Sequence, residues 1–280
     1  MSISLPTYTR REIPLLSRRH RMWAIFGTGL RQEIRRPAAI FAVGVGTLIT
    51  TVVSIVYVLF APFLLSGQPL DLTFFVVPAS NPAIFFFVTL MAAAVGGGLI
   101  ADDLDSMALT LYLSRPVTAA DYLTAKAAIL ATLTALVVIL PLVLTPFLGA
   151  LLGQFAWPVA LEAVGISVLL GLLITAFFTS LALFLSSLTR RRAYAAAAVF
   201  AVVFGLVATE TILSQPGFIK DPAILYLSPS ENFLAVARAA FGASTGPISW
   251  APALAILLAV TVLAALATWL RMRAIEVVSA

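Results

Sequence analysis

Apolar residues run along this chain in long, nearly unbroken blocks, and polar residues gather in the gaps between them. A helix needs about 20 mostly apolar residues to cross the hydrocarbon of a bilayer. Six blocks meet that length, at roughly Ala38–Phe60, Ala83–Ala101, Ala127–Leu148, Pro158–Leu188, Ala193–Leu213 and Trp250–Leu270. The fourth is long enough to tilt or to extend past the bilayer. The blocks are continuous rather than alternating, so they predict spanning helices and not barrel strands.

The gaps carry patterns of their own. Before the first block, Trp23, Phe26, Leu30 and Ile34 recur at spacings of three and four, while Arg21, Arg31, Gln32 and Arg35 lie elsewhere around the wheel. This predicts an amphipathic helix lying on the inner leaflet. Ser17 is its candidate N-cap, and Pro37 ends it or starts the next helix. Anchoring to anionic lipid and docking to a partner both fit that helix.

The gap between the second and third blocks divides in two. Leu104, Met107, Ala108 and Leu111 form a small apolar stripe at helical spacing, with Asp102, Asp103 and Asp105 at its start, where the helix dipole favours anions. Ser114-Arg115-Pro116 breaks that helix, because proline disfavours helical backbone in the residue before it. Thr118 then begins a second helix with Asp121 as its capping-box partner, and this helix runs through Tyr122 and Lys126 into the third block. A short helix, a sharp turn and a rigid connection can transmit a push from a partner. A well-capped re-entry loop with no partner is the plainer reading.

On the opposite side, Leu65–Asn81 carries one charge, Asp71, and a short turn around Gly153–Trp157 joins the third and fourth blocks. The longest segment there is Ser214–Ser249. Ser230 is a candidate cap for a helix from Glu231 to Phe241, whose apolar residues include Phe233, Leu234, Val236, Ala237 and Phe241. A packing or interfacial role suits this helix, and an exit gate is the alternative.

Composition agrees with lipid as the main solvent. Hydrophobic residues make up 61% of the 280 and charged residues 10%, against about 25% charged in soluble domains. The mean hydropathy is +1.08. The 1–280 chain therefore reads as one all-α membrane domain, with a polar arm at 1–37, a loop at 102–126 and an outer segment at 214–249. There is no cysteine, and His20 is the only histidine, which removes thiolate sites and nearly all zinc chemistry. Of the 17 basic residues, only Lys220 and Arg238 fall on the side away from the termini. The positive-inside rule then places both termini in the cytoplasm. Arg190-Arg191-Arg192 reads as a topogenic anchor rather than a nucleic-acid patch. No cleavable signal peptide is expected, because the first apolar block starts late and is too long for an h-region.

Asp102, Asp103 and Asp105 invite a magnesium site of the kind that membrane prenyltransferases and CDP-alcohol phosphotransferases build from two Asp-rich motifs. The first motif is incomplete here, and no second Asp cluster exists. Glu162 and Glu210 fall near the outer ends of their blocks, which is a poor start for an ion relay. Nothing matches a P-loop. Gly96-Gly97-Gly98 is better explained by close helix packing. Any active transport must draw its energy from another subunit. A membrane enzyme using the Asp cluster and a non-catalytic scaffold remain the competing readings.

The arm WAIFGTGLRQEIRRP, the stretch GGGLIADDLDSMALTLYLSRPVTAADYLTAK, the six blocks and the outer segment LSPSENFLAVARAAFG together resemble the permease subunit of an ABC-2 type ABC transporter, close in layout to the NosY-like branch. The family commonly reads Gly, acidic residues, a Leu-rich turn, Ser-Arg-Pro-Val and then a Lys. Those positions here are Gly98, Asp102 to Asp105, Leu109 to Leu113, Ser114 to Val117, and Lys126. This chain has Asp where the family often has Glu, which keeps the charge and shortens the reach. The resemblance implies an exporter of two permease subunits, alike or different, above two separate ATP-binding subunits in a prokaryotic inner membrane. This chain would hold no cofactor and bind no nucleic acid, with ATP and Mg²⁺ in the partner. Asp102, Asp103, Asp105, Met107, Leu111, Ser114, Arg115, Pro116 and Tyr122 would then form the coupling surface, flanked by the arm helix.

Overall fold

The computed structural model describes residues 17–64, 71–107, 118–216, 218–219, 221–244 and 246–279. The fold is all-α. After the arm helix α1 (Arg18–Ile34) come the spans α2 (Pro37–Phe60), α3 (Pro82–Asp105), α4 (Ala119–Leu151), α5 (Trp157–Ser187) and α6 (Arg192–Leu213). A short helix α7 (Pro229–Ala240) precedes the last span α8 (Trp250–Ile275). Among the described residues, these six spans are the helices long and apolar enough to cross a membrane. The six apolar blocks of the sequence each hold one of them.

Burial sorts the spans. In α3, 72% of the most apolar stretch is buried, against 17% in α6. So α3 and α5 form the centre, and α2, α6 and α8 present most of their surface outward. The α4 helix packs along α5 and carries both α1 and α2 on its flank, while α8 packs on α5 and α7.

Small residues let α3 sit this deep. A Cβ on Gly96 would lie 2.7 Å from both Ala182 Cβ and Leu130 Cδ2, and one on Gly97 would lie 2.9 Å from the Ala196 backbone nitrogen. Helix α3 therefore meets α4, α5 and α6 through its glycine run, as close packing requires. A π-turn at Ala92–Gly96 leads into that run. Just beyond it the backbone breaks at Ile100, with φ −108° and ψ −39°. A helix break inside a bundle leaves backbone groups without partners. Ser186 of α5 supplies them. Its hydroxyl accepts from the N–H of Ile100 at 3.1 Å and of Ala101 at 3.0 Å, and donates to the Gly97 carbonyl at 2.8 Å.

The end away from the termini is closed by aromatic packing. Phe75 lies 4.8 Å from Phe155 and 6.1 Å from Phe241, ring centre to ring centre. Phe233, Val236, Ala237 and Phe241 point inward, so α7 is a packed element. It begins at Pro229, with Ser228 in the N-cap position, and not after Ser230 as the sequence suggested. Pro229 at the first helical position sets the start, and the Ser230 hydroxyl pairs with that of Ser228 at 2.8 Å. Burial, aided by nearby Glu210, raises the Glu231 carboxyl above its ordinary 4.5, with Arg238 acting against the shift.

Replacing Ser186 with alanine removes three buried hydrogen bonds at the α3 break. Leaving such groups unpaired costs about 1–3 kcal/mol each before relaxation. Ser187→Ala removes only a bond to Phe184 within the same helix. Thermal unfolding in detergent should show a clear fall in midpoint for Ser186→Ala and a much smaller one for Ser187→Ala.

Candidate functional site

The polar groups of interest lie at the end of the bundle that carries both termini. Helix α3 ends at Asp105, and Met107 adopts φ +53°. A left-handed residue just past a helix end closes its last turn. The expected stripe through Leu104, Met107, Ala108 and Leu111 is therefore not one continuous helix. Leu104 packs against the core and Met107 lies exposed beyond the break. Leu111, Ser114, Arg115 and Pro116 fall outside the described residues, as does Ala108.

Asp102 and Asp103 occupy the first turn of the short helix after the break, and cations from three other elements surround them. Arg36, at the junction of α1 and α2, reaches Asp102 Oδ2 at 3.3 Å and Glu33 at 3.2 Å. Arg192, the first residue of α6, lies 3.8 Å from Asp102 Oδ2 and also donates to the carbonyl of Ala94. Lys126 of α4 pairs with Asp103 at 2.7 Å, and the Tyr122 hydroxyl donates to the same oxygen at 2.6 Å. Tyr122 is wholly buried. Asp105 is exposed and forms no ion pair among the described residues.

The capping box that begins α4 is present as predicted. The Thr118 hydroxyl accepts from the Asp121 N–H at 3.2 Å, and Asp121 Oδ2 accepts from the Thr118 N–H at 3.3 Å. The other oxygen of Asp121 pairs with Arg18 at 2.7 Å. One carboxylate thus caps α4 and ties it to the start of α1.

The arm stripe divides in two. Phe26 and Leu30 pack inward, whereas Trp23 and Ile34 are exposed. Gly29 passes so close to α4 that a Cβ there would lie 2.5 Å from Ile129 Cδ1. Ser17 stands at the N-cap position, but its hydroxyl pairs with His20 Nδ1 at 2.7 Å instead of a backbone N–H. Glu33, also on the inner face, is buried. Desolvation raises its carboxyl above the ordinary 4.5, and Arg36 and Lys126 offset part of that shift.

The site is therefore an ionic knot joining α1, α2, α3, α4 and α6 around the root of the 108–117 loop. Sequence reasoning found the aspartates and missed their partners Arg36, Lys126 and Arg192, as well as Arg18 and Glu33. The available signal was a base beside the same end of every neighbouring span. Charges held at one depth in a poorly hydrated region must pair. Among the described residues no group of three Asp, Glu, His or Cys converges as a metal site, and the two inner aspartates already face bases.

Two outcomes follow. The Asp103–Lys126 pair is largely shielded, with side chains 16% and 12% exposed. Removing one member of a buried pair costs about 3–5 kcal/mol when fully buried, and less with this partial exposure. Asp103→Ala should lower the unfolding midpoint strongly, and Asp105→Ala should barely change it. Glu33 binds a proton more readily in the folded chain than in the unfolded one. Its contribution is thus most favourable below the ordinary 4.5 and is lost as pH rises through the raised folded value. The midpoint of Glu33→Gln relative to the native chain should therefore rise as pH goes from 5 to 8, read by thermal unfolding at each pH.

A family model described as ABC-2 family transporter protein matches residues 32–274. No curated protein matches the chain.

Proposed function

The chain belongs to the ABC-2 family of transporter proteins, and from that premise we propose that it is the membrane permease of an ATP-driven exporter, paired with a second permease and with two separate ATP-binding subunits. The observation that carries this reading is the ionic knot at the root of the 108–117 loop. A loop rooted in four spans and the arm helix passes a displacement to all of them together. A loop attached to a single span would bend alone.

In this mechanism the ATP-binding subunits close on ATP and press on the loop that contains Leu111, Ser114, Arg115 and Pro116. Asp102 and Asp103 carry the movement through Arg36 to the arm and α2, through Lys126 and Tyr122 to α4, and through Arg192 to α6. The central α3 shifts with them because its glycine run leaves no slack against α4, α5 and α6. Mg²⁺ and ATP belong to the partner in this scheme. The magnesium-enzyme alternative is weakened because Asp102 and Asp103 are already balanced by Arg36, Arg192 and Lys126. The NosY-like layout of the Ser-Arg-Pro loop and the direction of export belong to the same proposal, as does a prokaryotic inner membrane.

Both termini and the knot lie on the cytoplasmic side, since the basic residues concentrate there. The native chain has no cysteine, so single cysteines report cleanly. A cysteine at Arg191 should react with an impermeant thiol reagent only after the membrane is opened, and one at Asp221 should react in intact cells. The reverse pattern contradicts the orientation.

Coupling is tested by co-expressing the chain with an ATP-binding subunit encoded beside it. Arg115→Glu should preserve the unfolding midpoint and co-insertion of the membrane part, yet abolish stimulation of ATP hydrolysis by the permease. Full stimulation in that variant contradicts the coupling role.

A further inference from the structure

Between α1 and the first turns of α4 runs an open groove of about 320 Å³, lined by Met22, Trp23, Phe26, Thr124, Ala125 and Ala128. Its polar edge is already spent. The hydroxyl of Thr124 donates to the carbonyls of Ala120 and Asp121, and that of Thr132, which also lines the groove, donates to Ala128, so neither has a proton left for a ligand. Trp23 stands 69% exposed at the rim, edge-on to Phe26 at 5.5 Å. Exposed tryptophan is the residue most at home at the level of lipid headgroups.

The depth of the groove fits that level. Helix α4 has 33 residues, a rise of about 50 Å at 1.5 Å per residue, whereas the hydrocarbon core is about 30 Å thick. Its opening turns, where the groove lies, therefore straddle the boundary between headgroups and acyl chains.

Charge completes the pattern. Arg18 and Arg19 lie one helical turn before Met22 and Trp23, on the face that leads into the groove. The single acid of α1, Glu33, is buried at the far end against Arg36. Arg18 is paired with Asp121, and among the described residues Arg19 forms no ion pair.

We propose that this groove is a binding site for one anionic phospholipid, with an acyl chain along Met22, Trp23, Phe26 and Ala128 and the phosphate at Arg19, one turn before Trp23. The bound lipid seals α1 against α4, so the arm is held by its ion pairs on one edge and by lipid on the other. This site does not depend on whether an ATPase docks at the loop.

The test uses the full chain in nanodiscs of phosphatidylglycerol and phosphatidylcholine, with native mass spectrometry of the lipid retained on release. The native chain should keep one phosphatidylglycerol in preference to phosphatidylcholine. Arg19→Gln should weaken that preference about fivefold, the worth of one arginine near an anionic surface. Ala128→Phe, a filling change at an exposed position, should abolish retention at an unchanged unfolding midpoint. A second readout does not rely on that variant. Phosphatidylglycerol with brominated chains should quench native tryptophan fluorescence beyond its mole fraction, and the excess should vanish in Trp23→Phe. Equal retention of both lipids overturns the proposal, as does quenching at the bulk mole fraction. Disulfide cross-linking of two chains through Thr124→Cys would place a second copy in the groove and overturn it too.

Discussion

Charge at a membrane boundary has to be paired close to home, and in this protein that constraint falls on the end of the second span. Asp102 and Asp103 lie at the end of the most buried helix of the bundle, with side chains 40% and 16% exposed. Their neutralisation calls on Arg36, Lys126, Tyr122 and Arg192. The partners come from three different stretches of chain, so meeting one local requirement fixes three junctions at once. The direction in which the arm leaves the membrane, the start of α4 and the start of α6 are all set by this exchange.

The backbone of α3 is arranged to deliver those carboxylates. Its glycine run brings it against three neighbours, a π-turn shifts its register, and the break at Ile100 turns the last segment toward the cations. A single hydroxyl from Ser186 satisfies the break. The opposite end of the bundle uses other chemistry. There Phe74, Phe75, Phe155 and Phe241 pack ring against ring, and few charges take part. Non-directional packing tolerates small rearrangements, whereas an ion-paired end has discrete arrangements.

Much of this was readable from residue order. Spanning helices announce themselves because lipid admits no other continuous apolar segment, and the six blocks needed no tertiary information. The capping box at Thr118 and Asp121 was equally legible, being set by residues three apart. What failed was any inference that depended on competition between partners. Ser17 looked like a cap until His20 took its hydroxyl, and Ser230 yielded to a proline start at Pro229. The stripe from Leu104 to Leu111 kept helical spacing, but its backbone turned at Met107. Within the arm stripe Phe26 and Leu30 pack on the bundle while Trp23 and Ile34 stay exposed, because α4 covers only part of that face. Arg192 was read as one of three equivalent arginines, when in fact it joins α6 to α3. Pairings over such distances leave no periodic trace in the sequence.

Exchange of the charges at Asp103 and Lys126 tests the central claim most directly. Asp103→Lys and Lys126→Asp alone each place like charges together in a poorly hydrated region, and both should unfold in detergent at clearly lower temperature. The double exchange restores an opposite pair between α3 and α4 and should recover most of the lost midpoint. A double variant as unstable as the summed single changes would show that the pair does not hold these helices together, and the ionic knot would lose its place as the organising feature of the fold.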